Sequence, residues 1–402
     1  MCSSQYLAPR GVKLNFGGTV PGGARDVQIP GEPEASATAY FGLLYQHVLM
    51  PGQLAGSSMP SVQHPIIRVA VVQAAPEFLD LDGTIETCIR LIREAARAGA
   101  RLIAFPETFI PGYPWFIWLD SPAWGMQFLQ RYHENSLALG SAEYARISAA
   151  AQEAGIWVAL GFSERHGGSL YMGQSLIDAQ GRTVFARRKL KPTHVERTIF
   201  GEGAGSDLTV VETALGRIGA LCCWEHLQPL SKYALYAQNE QIHIAAWPSF
   251  SLYRGAAYAL GPELNTALSQ VYAAEGQCFV LAPCATVSAD MIAQLCVDDT
   301  KRQLLKPGGG FARVFGPDGA PLGKPLPEDA EGLLIVDLDL GLIPLAKGAA
   351  DPAGHYSRPD VTRLLINRAP AMRVVEWSGG RFDQVNSGTA SPEPQTAEVP
   401  HD

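Results

Sequence analysis

The chain has 402 residues, 47% hydrophobic and 17% charged, with a net charge of −8, a globular balance with material for a sizeable core in one large domain or two smaller ones. The negative balance and the lack of long Lys/Arg runs argue against a nucleic-acid-binding surface, and no uncharged apolar stretch is long enough to span a bilayer. The N-terminus lacks the basic start, apolar stretch and cleavage pattern of a secretory signal, so a soluble, cytoplasmic protein is expected, with its seven cysteines as reduced thiols.

Residues 1–64 are rich in Gly and Pro ("NFGGTVPGGARD", "PGEPEAS") and carry no useful periodicity, which predicts a disordered extension. Met59 and the following "PSVQHPIIRVAVVQ" make a natural start for the globular part, so the upstream segment reads as a leader or an over-extended reading frame. Residues 65–370 are dense and regular, and 371–402 return to a polar, Pro- and Ser-bearing tail expected to be mobile. Within the dense part, "IIRVAVVQA" predicts a strand over 66–74. Ile85, Cys88, Ile89, Ile92 and Ala96 then recur at helical spacing before Gly99 stops the helix. "RLIAF" at 101–105 completes a β-α-β unit, which implies a sheet covered by helices. The alternation continues with a helix over 141–154, a strand over 156–162, two strands joined by "AQGR", and buried strands in "RIGALCC", "IHIAAW" and "CFVLAP". Helices are expected near 231–240 and 262–275. No repeat of solenoid or propeller period is present, and the reading is an α/β layered domain.

Three chemically distinctive groups each follow a strand: Glu107 after "LIAFP", Lys189 after "TVFARR", and Cys222 or Cys223 at the end of "RIGAL". Strand ends in layered α/β proteins are where clefts form, so these groups are placed to converge. Together they suit attack of a thiolate on an electrophilic carbon. The carboxylate takes the thiol proton and activates water, while the ammonium and the N–H after the nucleophile stabilise developing charge. Taken singly each has a plain structural reading: a cysteine ending an apolar strand is a small buried hydrophobe, Glu107 a surface residue at a strand exit, and Lys189 part of a solvated charge run. Strand alternation is expected to put the two thiols on opposite faces. Two rival constellations use the same stretch. Cys223 and His226 form a thiol–imidazole pair, although such a histidine usually comes from a distant segment, and Cys222, Cys223 and His226 form a metal set without the usual cysteine spacing or a fourth ligand. "KPGGGFARVFGPDG" lacks the ending of a phosphate loop and reads as a hairpin, so no nucleotide cofactor is implied.

The blocks "FPETFIPGYP", "RRKLKPTHVER", "GEG", "GALCCWEHLQPLSKYALYAQNEQIHIAAWPSFSLY" and "DPAGHYSRPD", in this order over about residues 66–368, resemble those of the bacterial nitrilases within the nitrilase/amidase superfamily. The resemblance implies a four-layer α-β-β-α sandwich that dimerises through one helical layer and associates further into spiral homo-oligomers or helical filaments. It also implies Glu107 as the carboxylate, Lys189 rather than Lys191 as the lysine, Cys223 rather than Cys222 as the nucleophile, and Glu196 as a second glutamate holding the lysine. "CWEH" favours nitriles as substrates, with hydrolysis to the acid and ammonia and no metal or organic cofactor. An amidase, a hydratase that stops at the amide, or a silent scaffold on the same fold are the alternatives. Residues 1–64 have no counterpart in the family pattern.

Aromatics follow Glu107 and the "IHIAAW" strand: Tyr113, Trp115, Phe116, Trp118, Trp124, Trp247 and Phe250. They suit an apolar pocket for aromatic, arylaliphatic or aliphatic nitriles, although for any one of them a core or interface position is the more common place. Tyr113, Trp247, and the neighbours Trp224 and Pro248 are the chosen pocket residues. His355 and Tyr356, in a loop-forming stretch, are expected to act through the homo-oligomer rather than in bond making.

Overall fold

The computed structural model describes residues 64–369 and 374, so the expectations for the N-terminal extension and the C-terminal tail lie outside the described residues. The chain builds two sheets. In the first, Ile66–Ala74, Leu102–Ala104 and Trp157–His166 run parallel, and Ser169–Ile177 and Thr183–Arg188 continue it antiparallel. Gly332–Asp339 pairs antiparallel with Ile66–Ala74 along eight residues. In the second sheet, Gly216–Cys222, Ile242–Ala246 and Phe279–Ala282 form a parallel centre, extended by Val211–Thr213 and by the hairpin Arg313–Phe315 and Pro321–Leu322.

The order of layers follows from which faces are apolar. Helix Leu81–Arg97 buries Ile85, Cys88, Ile89, Leu91, Ile92 and Ala95, one face at helical spacing, and packs with helix Ala142–Ala154 on the outer side of the first sheet. The Asp80 carboxylate caps the first helix by accepting from Gly83 N at 3.0 Å, and Gly155 closes the second in the left-handed region at φ 63°. Strand residues such as Val69, Val71, Ile218, Ile244 and Leu281 meet between the sheets, and Pro229–Tyr236 and Pro262–Gly276 cover the second sheet. The result is an α-β-β-α sandwich. Each fully buried aliphatic side chain in it contributes roughly 1.5–3 kcal/mol relative to exposure.

Differences from the sequence reading have local causes. Pro122–Glu134 is a helix, started by Pro122 after a Ser121 cap, inside the stretch read only for its aromatics. The helix expected to reach 240 stops at Tyr236, and Asn239 turns with φ 56°. The strand "RIGALCC" ends at Cys222, because Cys223 adopts φ 45° and opens a 3₁₀ turn over Cys223–Leu227. The two thiols are therefore parted by a turn rather than by strand alternation.

Gly161, in the middle of Trp157–His166, sets the height at which the segment carrying Glu107 crosses the sheet. A Cβ there would stand 2.0 Å from Pro106 O and 3.2 Å from Glu107 Cα, while Gly161 O accepts from Phe109 N at 3.0 Å. Gly161→Ala is expected to cost about 2–3 kcal/mol of stability through overpacking and to lower activity. Gly168→Ala, where a Cβ meets nothing within 4 Å, is the neutral control in chemical denaturation.

Candidate active site

Lys189 leaves the strand Thr183–Arg188 with its ammonium pointing into the protein, and the side chain is fully buried. Its Nζ donates to Glu107 Oε1 at 2.9 Å and to Glu196 Oε2 at 2.8 Å, both carboxylates being buried as well. Burial pulls the ammonium down, but the two carboxylates outweigh it and hold Lys189 well above the ordinary lysine range. Two of its three N–H bonds are thus used, and one remains for a substrate.

Glu107 sits just beyond Leu102–Ala104, and its backbone N–H donates to Trp247 O at 3.4 Å, linking the two sheets. Burial raises its carboxyl to about 8, with Lys189 pulling it down and Glu196 pushing it up. Its Oε2 is buried without a hydrogen-bond partner, an acceptor ready for a proton from substrate water or thiol. Glu196 lies in the 3₁₀ turn His194–Thr198. Its Oε2 also accepts from Thr193 N at 2.5 Å, and its Oε1 accepts from Tyr113 Oη at 2.7 Å. The Thr-x-x-Glu spacing is that of a capping box, a signal in the sequence for where this carboxylate turns.

Cys223 is half-buried at the start of its 3₁₀ turn, in a backbone conformation that a side chain adopts only at a cost of about 1–3 kcal/mol. Burial pushes its thiol well up and Glu107 adds to this, while Lys189 and the backbone N–H of Trp224 act the other way. The resting group is therefore a thiol, and as a nucleophile it would need a base. Tyr113, Trp115, Trp118, Trp224, Pro248 and Phe250 line a cleft with Cys223 and Glu196. The indole of Trp224 is fixed by Asn265 Oδ1 at 2.9 Å, and that of Trp118 donates to Tyr113 Oη at 3.0 Å.

The remaining expected residues separate. Trp247 does not line this cleft. Its ring is buried flat against His226 with centroids 5.2 Å apart, and its Nε1 donates to Ser269 at 2.8 Å, because the strand Ile242–Ala246 carries it into the core. Trp124 lies under Lys301, and Phe116 is core. The rival constellations are also dispersed: His226 Nδ1 contacts the carbonyl of Cys223 rather than its sulfur, and its Nε2 faces His243. His355 and Tyr356 sit together in an exposed loop and are not among the cleft residues.

One residue escaped the sequence reading. Glu225 is buried and accepts from Arg187 at 2.9 and 2.6 Å, from Leu190 N at 2.8 Å and from Cys222 N at 2.7 Å. It therefore ties the residue before Cys223 to the residue after Lys189. Burial pushes its carboxyl up, but Arg187 and the two backbone N–H groups outweigh that and hold it below the usual range. Its place three residues after Cys222 is again the capping-box spacing.

Comparisons with known proteins agree in kind. The carbon-nitrogen hydrolase family model matches residues 68–347. A nitrilase of Pseudomonas syringae pv. syringae is 66% identical over 310 residues, 77% of this chain and 92% of that protein. An arylacetone-specific nitrilase of Alcaligenes faecalis is 54% identical over 312 residues, 77% and 88% of the two chains. Among solved structures, a carbon-nitrogen hydrolase of Helicobacter pylori G27 superposes with a TM-score of 0.58 at 18% identity, covering 75% of this chain and all of that one, a likeness of fold.

Removing the anion from the buried Arg187 pair is expected to cost about 3–5 kcal/mol in Glu225→Ala, since it strands a buried charge. Arg93→Ala, which breaks an exposed pair with Glu153, is expected to leave the denaturation midpoint within error.

Proposed function

The chain belongs to the carbon-nitrogen hydrolase family, in its nitrilase branch, and from that premise we propose the route by which it hydrolyses a nitrile to a carboxylic acid and ammonia. The observation that carries the route is the ammonium of Lys189 fixed between Glu107 and Glu196 beside the cleft that holds Cys223. The sulfur of Cys223 bonds to the nitrile carbon as its proton passes, through Glu107, to the nitrogen, giving a thioimidate. Water then adds to that carbon with Glu107 accepting its proton, and the tetrahedral intermediate is held by the third N–H of Lys189 and the N–H of Trp224. Protonation of nitrogen expels ammonia and leaves a thioester, and a second water releases the acid and restores the thiol. Two waters are consumed per nitrile. If the carbon–sulfur bond breaks before the carbon–nitrogen bond, the product is the amide, so the orientation of the nitrogen toward a proton donor decides between acid and amide.

The cleft favours a substrate with a flat apolar group, because Tyr113, Trp115, Trp118, Trp224 and Phe250 offer ring faces and edges to it. The arylacetone-specific relative points the same way. Aromatic, arylaliphatic and aliphatic nitriles are all within the proposal. We assign the activity to residues 65–370. A homodimer through the helical layer is supported by the exposed apolar side chains of Leu230 and Val271 on Pro229–Tyr236 and Pro262–Gly276, with further association into spiral oligomers. Action in the cytoplasm fits the reduced thiols. No helix among the described residues is long and apolar enough to cross a membrane.

A panel of nitriles and the matching amides, with acid, amide and ammonia quantified for each, tests the reaction; turnover of the amides alone would contradict it. Cys223→Ala is expected to abolish turnover and Cys222→Ala to retain most of it, and equal losses with intact folding would reject the assignment. The base form of Glu107 must be present to accept a proton, so kcat/KM is expected to rise with pH along a limb near 8, far above the ordinary carboxylate range. A limb centred near 4 would remove Glu107 as the base.

A further inference from the structure

A buried polar chain that this route does not use begins at the carbonyl of the nucleophile itself. His226 Nδ1 lies 2.6 Å from Cys223 O, His226 Nε2 lies 3.0 Å from His243 Nε2, and His243 Nδ1 lies 2.7 Å from Glu240 Oε1. Tyr272 Oη donates to Glu240 Oε2 at 2.6 Å. All four side chains are buried, His226 is stacked on Trp247, and His243 is stacked on Tyr272 with centroids 3.7 Å apart. Gly219, opposite His243 in the strand pairing, makes the room: a Cβ there would stand 2.1 Å from Glu240 Oε1.

Counting protons orders this chain. A carbonyl oxygen only accepts, so Nδ1 of His226 carries a hydrogen. Burial, with His243 adding to it, lowers His226 to about 3, so the ring is neutral and its Nε2 accepts from Nε2–H of His243. The remaining proton lies between His243 Nδ1 and Glu240, and Glu240 Oε2 is free to accept from Tyr272. Every bond then has one donor and one acceptor.

The Cys223 carbonyl and the Trp224 N–H belong to one planar, trans peptide unit, so holding the oxygen fixes the direction of the hydrogen. That N–H acts to lower the Cys223 thiol and is the backbone donor in the route above. We propose that His226 is a positioning residue for the reaction: anchored by His243, Glu240 and Tyr272, it pins the Cys223–Trp224 peptide and so aims the Trp224 N–H at the reacting atoms. The inference rests on Cys223 being the nucleophile.

Asn and Gln at position 226 separate this role from a merely structural one. Asn carries its amide nitrogen where Nδ1 stands, and Gln carries it nearer Nε2. His226→Asn is expected to recover most of the turnover. His226→Gln is expected to lose about 10- to 100-fold in kcat with KM within about twofold, the loss typical of a misaimed donor. His226→Leu, which has no donor at all, is expected to match Gln and takes its place if Gln does not fold, with melting curves checking each. Equal kcat for Asn and for the Gln and Leu variants, or a loss confined to KM, overturns the proposal. Cys223→Ala, run alongside, keeps the two claims apart. Turnover by it would remove the nucleophile and this inference together, whereas an inactive Cys223→Ala beside equal Asn and Gln variants would remove only the inference.

Discussion

The ammonium of Lys189, buried between two carboxylates, is the constraint on which the site depends. Taking one charge out of water costs roughly several kcal/mol, and here three are buried together, so each is tolerable only while the others hold their places. The assembly carries one positive and up to two negative charges. That imbalance raises Glu107 toward neutrality while Lys189 stays charged, which is what the proposed route asks of its base and its cation.

Holding such an array demands rigid supports, and the fold provides them from both sheets. Thr183–Arg188 delivers Lys189, the crossing over Gly161 delivers Glu107, and the Thr193 turn delivers Glu196. From the second sheet, Gly216–Cys222 delivers the thiol through a turn whose left-handed first residue is unfavourable by itself. Glu225 offsets that cost by bonding Cys222 N, Leu190 N and Arg187 together, which joins the Cys223 turn to the Lys189 loop across the sandwich. Binding energy invested in these supports leaves the reacting groups little to reorganise during the reaction.

Much of this was legible in the sequence, for reasons that differ residue by residue. The strands 66–74 and 156–162 and the helix 141–154 announce themselves by periodicity and punctuation, and the ends of strands pointed to Glu107, Lys189 and the cysteine pair. The choice between Cys222 and Cys223 came from resemblance, since periodicity carries no mark of a turn that breaks the strand between them. Trp247 was misread because an aromatic after a strand looks the same whether it faces a cleft or a neighbouring imidazole. Glu225 was passed over although its capping spacing was visible, because a carboxylate beside a reactive cysteine gives no sign of whether it faces the substrate or the backbone. The His226–His243–Glu240 chain was out of reach, since it depends on how the turn after one strand lies against the neighbouring parallel strand.

The central claim is that this array works on a substrate carbon bound to the sulfur of Cys223. Rapid quenching of the enzyme during turnover of an arylacetonitrile, followed by mass spectrometry of the peptide that contains both cysteines, tests it most directly. The expected result is an acyl or imidoyl mass increment that fragmentation assigns to Cys223. An increment on Cys222, or steady turnover with no adduct on either thiol, would contradict the account.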